Sequence, residues 1–150
     1  MAIQFYNADR SFPLKNRRKL KAFLANLIKK EGFETGDLSF ISCSDPFLLD
    51  INQQFLRHDT YTDIITFPFS VAGQPISGEI YISIDRVREN ATLFQTNTVL
   101  ELHRVIFHGT LHLCGYQDKT APQKKLMRGK EDQALLAYFP DLTFHVEHKL

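Results

Sequence analysis

A chain of 150 residues with 43% apolar residues and thirteen phenylalanines has the length of one domain, residues 1–150, with enough apolar side chains for a single core and too little length to divide. Eighteen basic against seventeen acidic residues leave a net charge of +1, so no overall field announces a nucleic-acid partner. Cys43 and Cys114 lie in apolar surroundings without CxxC spacing, which argues against a disulfide scaffold and for a reduced, cytoplasmic protein.

Residues 1–5 lack the basic region and apolar core of a targeting segment, and no run approaches ~18 uninterrupted apolar residues, so no membrane partner is expected. Ile3, Phe5 and Tyr6 mark a first strand over 2–6. Pro13 is placed to open a helix, and Leu20, Phe23, Leu24, Leu27 and Ile28 recur at three and four through Lys30, with Gly32 as the stop. Its other face carries Lys15, Arg17, Arg18, Lys19, Lys21, Lys29 and Lys30, read as a solvated face rather than a phosphate-holding one. A second strand covers 37–43. Ser44-Asp45-Pro46 then supplies the cap and first turn of a helix containing Phe47, Leu48, Ile51 and Phe55.

Residues 64–70 and 76–84 read as a hairpin around the turn 71–75, and Pro68, which cannot donate to a ladder, puts the first of these strands near an edge. Asp85 is the expected cap of a helix through about Phe94. A break at 95–98 precedes a helix from near Val99 that is apolar over much more than one stripe, as a central helix packed on several sides would be. His103 falls off its site-bearing face and reads as surface. A turn at 119–122 leads to a helix over 123–138, and alternation in 142–148 suggests an edge strand, with His145 and His148 as adventitious metal binders.

The chemistry concentrates in His108-Gly109-Thr110-Leu111-His112-Leu113-Cys114-Gly115-Tyr116-Gln117-Asp118. On a helix, His108 and His112 stack one turn apart, Gly115 can end the helix left-handed, and the returning chain brings Asp118 to the same ion. Two imidazoles and a carboxylate leave one position of a tetrahedral zinc (Zn2+) open, which is a catalytic arrangement. Packed histidines are the plain alternative. The spacing resembles the metzincin string, with Gly109 at the general-base position and Asp118 for the third His; without a base, peptide hydrolysis is disfavoured.

Residues 108–116 also resemble the signature of the YbeY family of bacterial endoribonucleases, His-Gly-x-Leu-His-Leu-x-Gly-Tyr-Asp-His. Leu49, Asn52, Phe55, Arg57, Asp59 and Thr62-Asp63-Ile64-Ile65-Thr66-Phe67-Pro68 resemble that family's second motif, with Tyr61 at its proline. The resemblance covers about 38–135 and implies zinc on His108, His112 and Asp118, other divalent ions being tolerated because Asp118 replaces an imidazole. It implies that Arg57 serves RNA binding and catalysis, offsetting charge on the phosphorane; a structural ion pair to Asp59 or Asp63 is the alternative. Gly78-Glu79-Ile80 stands at the family's Gly-Asp-Ile strand, so Glu79 is a second-tier catalytic candidate: it can orient a ligating His, act as a base, or be an exposed strand carboxylate. Met127 and Glu131 match a Met-x3-Glu pair in its closing helix, where Met127 reads as core.

The implied fold is α+β, a mixed sheet of about four strands with a metzincin-like metal helix packed across it. The implied function is metal-dependent cleavage of single-stranded RNA in ribosomal RNA maturation, at the 3′ end of 16S rRNA, with the small ribosomal subunit as partner. A zinc peptidase and a non-catalytic ribosome-assembly factor are the alternatives.

Overall fold

The computed structural model describes residues 2–57 and 61–141, and within it the alternation of β-rich runs with amphipathic stretches becomes one sheet with helices on both faces. Ile3 and Phe5 of β1 (Ile3–Asn7) are buried while their neighbours face water, the period-two pattern of a half-covered strand. The chain then leaves the sheet and returns through α1 (Arg17–Lys30), whose Leu20, Leu24 and Ile28 form a buried stripe. This helix begins one turn later than Pro13 suggests. Asn16 is the residue that opens it, its Oδ1 accepting the Lys19 N–H at 3.2 Å and so satisfying an end donor that Pro13 cannot reach.

Strand β2 (Thr35–Cys43) pairs in parallel with β1 and with β4 (Ile76–Ser83), and β3 (Ile64–Pro68) pairs antiparallel with β4, in the order β1-β2-β4-β3. Pro68 thus ends an edge strand, where a missing N–H costs no interior ladder bond. Between β2 and β3, α2 (Asp45–Leu56) is capped by Ser44, whose Oγ accepts the Phe47 N–H at 3.2 Å. Helix α3 (Ile84–Leu93) is capped by Ser83 rather than Asp85. The Asp85 carboxylate is otherwise engaged, accepting the Asp45 N–H and the Arg10 guanidinium, both at 3.0 Å.

Helices α1 and α4 (Thr98–Leu113) share a core with Phe40, Ile80 and Ile82 on one sheet face; Leu48 of α2 packs with Cys43 and Ile65 on the other. Helix α5 (Ala121–Tyr138), started by a capping box between Thr120 and Gln123, closes the far side of α4. Surrounded in this way, α4 is buried on every side from Leu100 to Phe107, and each fully buried Leu, Ile or Phe there contributes roughly 1.5–3 kcal/mol.

His103 is accordingly buried, a correction to its reading as surface. Tyr138 stacks on its ring at 5.1 Å and Phe139 meets it edge-on at 4.9 Å, so the end of α5 covers a face that helical periodicity alone leaves open. Gly109 lets α4 lie close on the sheet: a Cβ there would stand 2.8 Å from Ile64 Cδ1 and 3.0 Å from Ile80 Cγ2. Among the described residues no helix is long and apolar enough to cross a membrane. The alternating segment 142–148, with His145 and His148, lies outside the described residues.

Candidate metal centre and cleft

The site is built at the C-terminal end of α4. Gly115 takes the left-handed φ of 107° that the sequence demands of it, and two backbone bonds close the helix, from Gly115 N–H to His112 O at 3.0 Å and from Tyr116 N–H to Leu111 O at 3.2 Å. The Tyr116 hydroxyl then donates to Glu31 Oε1 at 2.7 Å and pins the turn against the end of α1. The reversal returns the chain over α4 and sets Asp118 Oδ2 3.2 Å from His108 Nε2. Two donors on one cation at ~2.1 Å each and a tetrahedral angle would stand about 3.4 Å apart, close to that spacing.

The two imidazoles are parallel within 6°, with centroids 6.4 Å apart, as one helical turn requires. Each has its Nδ1 engaged by an oxygen that accepts: His112 Nδ1 lies 2.9 Å from the Tyr116 carbonyl and His108 Nδ1 lies 2.6 Å from Glu131 Oε2. An oxygen acceptor at Nδ1 holds a proton on that nitrogen of each ring, so Nε2 is the atom through which either histidine would ligate. The structure brings His108 and Asp118 together and holds His112 one turn away; among the described residues no three His, Cys, Asp or Glu side chains are grouped closely enough to hold a metal ion as they stand. The donor chemistry of His108, His112 and Asp118 fits a divalent ion.

Behind His108 stands a chain of charges. Arg104, one turn earlier on α4, donates to Glu131 Oε1 at 3.0 Å and to Asp132 Oδ1 at 2.8 Å, in a pocket where its side chain is only 8% exposed. Glu131 is thus held from one side by a guanidinium and presents its other oxygen to His108. Burial pushes the His108 imidazole down, but the Glu131 hydrogen bond and the nearby charges of Glu131, Asp118 and Asp63 outweigh it, leaving a raised pKa. Asp63 is half-buried, yet walled in enough that lost hydration raises its carboxyl above the usual range, against the pull of His108.

These side chains line a cleft of about 810 Å³ over α4, with Thr62, Asp63, Ile64 and Thr66 on the β3 side, Asn90 and Phe94 from α3, and Lys124, Lys125 and Arg128 from α5. Its floor includes Glu101, whose carboxyl burial pushes up to about 7. The folded chain therefore holds a proton that the unfolded chain, titrating near 4.5, has released. Stability from this group is fully present below about pH 4.5 and is lost as pH rises through about 7. Glu101→Gln should accordingly melt higher than wild type at pH 8, by an amount worth up to about 3 kcal/mol, with the gap closing at pH 4.5. Thermal melts in chelator across that range check it, and equal melting temperatures at pH 8 would refute it.

The other two residues singled out from sequence stand apart. Arg57 is the exposed C-cap of α2, in a left-handed conformation at φ 56°; it does not line the cleft, and among the described residues no ion pair joins it to Asp63. Asp59 lies outside the described residues. Glu79 lies on the sheet face away from α4, because Ile80 contacts Gly109 and strand neighbours point oppositely. Its carboxylate accepts from the Tyr81 hydroxyl at 3.1 Å. Orientation of His108 falls to Glu131 instead of Glu79. Glu101 and Arg104 had a legible signal, the two charged residues of α4, seven and four before His108 on the same face. Lys124, Lys125 and Arg128 had none beyond being charged.

A family model described as endoribonuclease YbeY matches residues 2–138. The chain is 47% identical over 133 residues to an endoribonuclease YbeY of Cytophaga hutchinsonii, covering 89% of this chain and 93% of that protein. It is 44% identical over 135 residues to an endoribonuclease YbeY of Parabacteroides distasonis, covering 90% and 94%. Among solved structures, the solution structure of TM1509 from Thermotoga maritima superimposes with a TM-score of 0.66 at 30% identity, covering 93% of this chain and 91% of that one.

Proposed function

Because this chain belongs to the endoribonuclease YbeY family, we propose that it is a metal-dependent endoribonuclease that cuts single-stranded RNA during ribosomal RNA maturation, at the 3′ end of 16S rRNA on the small subunit. The observation that supports the metal dependence is the pair of imidazoles with both Nδ1 atoms engaged by oxygen acceptors, and the Asp118 carboxylate 3.2 Å from His108 Nε2. His108, His112 and Asp118 would hold the ion, zinc or another divalent cation. When bound, it supplies Lewis-acid polarisation of a phosphodiester oxygen.

The chain's own side chains do the rest of the work. Lys124, Lys125 and Arg128 on the cleft wall attract and seat the phosphates of the strand. Arg128, which also lies 3.9 Å from Glu131, is well placed to offset charge on a phosphorane in the cleft. Arg57, exposed outside the cleft, is assigned to holding the RNA strand rather than to the reacting atoms. Gly109, against Ile64 and Ile80, leaves no room for the carboxylate base that a metal peptidase places beside its ion.

Incubation of the purified chain with single-stranded and duplex RNA, with zinc or with chelator, tests the reading. Single strands cut only in the presence of metal, with duplex and casein intact, are the expected result. RNA that is bound but uncut under every metal would establish a non-catalytic assembly factor instead.

A further inference from the structure

Helix α1 carries six cations, Arg17, Arg18, Lys19, Lys21, Lys29 and Lys30, and no acidic residue. The whole chain has a net charge of only +1, so the rest of it is net acidic. This distribution works against the helix itself. Arg17, Arg18 and Lys19 occupy the first turn, at the positive end of the macrodipole, where an acid would be favourable and none is present. Arg17 and Lys21, four apart, add a like-charge pair. A face that had only to stay in water would mix both signs.

The structure divides these cations. Lys19 lies over the Tyr138 ring at 4.5 Å and Arg17 over the Phe5 ring at 6.0 Å, both drawn toward the body of the protein. Arg18, Lys29 and Lys30 are exposed, and among the described residues no carboxylate pairs with them. Glu31, the acid that ends the helix, is already engaged: it accepts from the Tyr116 hydroxyl at 2.7 Å and faces Lys130 Nζ at 3.4 Å. Arg18 and Lys29 stand roughly 16 Å apart along the helix axis. The exposed positions between them on that face are Ala22 and Asn26, both short.

We propose that the outer face of α1 docks duplex RNA, its two basic ends meeting phosphates on either side of the shallow minor groove while Ala22 and Asn26 let the helix lie close. The dock rests on the reading of the α4 cleft as an endoribonuclease site, and adds to it the part of the substrate that is held rather than cut. Duplex RNA is recognised through its shape, its phosphates and its 2′-hydroxyls, which is what cations spaced along a rigid rod with an amide between them can read. A single strand would want a stacking platform. Phe23, the one aromatic residue of α1, is turned inward against Phe107 and Tyr138. An anionic lipid surface would want an apolar face to insert, and Leu20, Leu24 and Ile28 are already buried in the core. The Tyr116 bond to Glu31 ties the end of α1 to the turn that carries Asp118, so a stem on α1 is held at a fixed place relative to the cleft.

The experiment uses the full chain in chelator, so that binding is read without cleavage, with a hairpin RNA carrying a single-stranded tail and with the tail alone. Wild type should hold the hairpin more tightly. The triple variant Arg18→Gln, Lys29→Gln, Lys30→Gln should weaken hairpin binding on the order of tenfold, lower its salt slope by about three and leave binding of the tail unchanged. The charge-preserving variant Arg18→Lys, Lys29→Arg, Lys30→Arg should bind the hairpin like wild type. With metal added, the glutamine variant should cut the bare tail at the wild-type rate and need about ten times more hairpin for half-maximal cleavage. A glutamine variant that binds the hairpin like wild type, while metal-loaded wild type cuts single strands, would overturn the dock and leave the endoribonuclease reading standing. Equal loss of tail binding would also overturn it, as would loss of binding to phosphatidylserine vesicles with hairpin binding intact. A hairpin held through α1, with no RNA cut under any metal, would support the dock and sink the endoribonuclease reading.

Discussion

His112→Ala is expected to leave the purified chain without retained zinc and to lower RNA cleavage at least about a hundredfold. The reasoning starts from magnitudes: disturbing a residue that merely orients a ligand costs ten- to a hundredfold in metal affinity, and removing one of three donors has to cost more. His108→Ala should match it. Asp118→His makes the complementary test, since an imidazole there supplies a neutral donor in place of a carboxylate; retained or tighter zinc binding is expected. Metal content after gel filtration reads all three variants. Undiminished zinc in His112→Ala would remove that histidine from the ligand set, and with it the convergence that the Gly115 turn produces.

Much of the fold was legible because it follows from short-range chemistry. Apolar periodicity marked the strands and helices, Ser44 was recognisable as a cap, and Pro68 could only end a strand at an edge. Two of the misses share one cause, competition for a side chain by a distant partner. Asp85 reads as a helix cap until Asp45 and Arg10 arrive from elsewhere in the chain to engage its carboxylate. His103 reads as surface until Tyr138 and Phe139, more than thirty residues later, cover it. No local pattern contains those partners.

The candidate metal ligands were more legible than the residues packed behind them. His108, His112 and Gly115 lie within about two turns of helix, so spacing fixes their relation. Asp118 follows from the left-handed turn that only glycine adopts freely. Glu79 stands at the acidic position of the family's Gly-Asp-Ile strand, but a strand alternates faces, and the residue that reaches α4 is Ile80. The true orienting carboxylate, Glu131, comes from α5, twenty-three residues after His108. Its partner Arg104 is separated by twenty-seven, so only tertiary packing shows that the three form one chain of contacts.

Arg104→Ala should be the most destabilising single change near the site. The guanidinium neutralises Glu131 and Asp132 inside the protein, and removing one member of a buried ion pair typically costs about 3–5 kcal/mol because the other charge stays buried. For a chain of this length that is a fall of about 10 °C in melting temperature. Glu131→Gln keeps the shape and can still accept from His108 Nδ1, but turns an amide toward Arg104; a ten- to hundredfold loss of zinc affinity is expected, with a smaller loss of stability. The double variant Arg104→Met with Glu131→Leu separates the two effects. Replacing Arg104 and Glu131 by apolar groups should recover part of the melting temperature lost in Arg104→Ala, since Glu131 is then no longer stranded and only Asp132, at 14% exposure, loses its partner. Zinc affinity should stay low, because nothing holds the His108 ring in its ligating tautomer. Calorimetric melts together with competition titrations against a zinc indicator measure both quantities, and wild-type zinc affinity in the double variant would show that Glu131 has no part in presenting His108 to the ion.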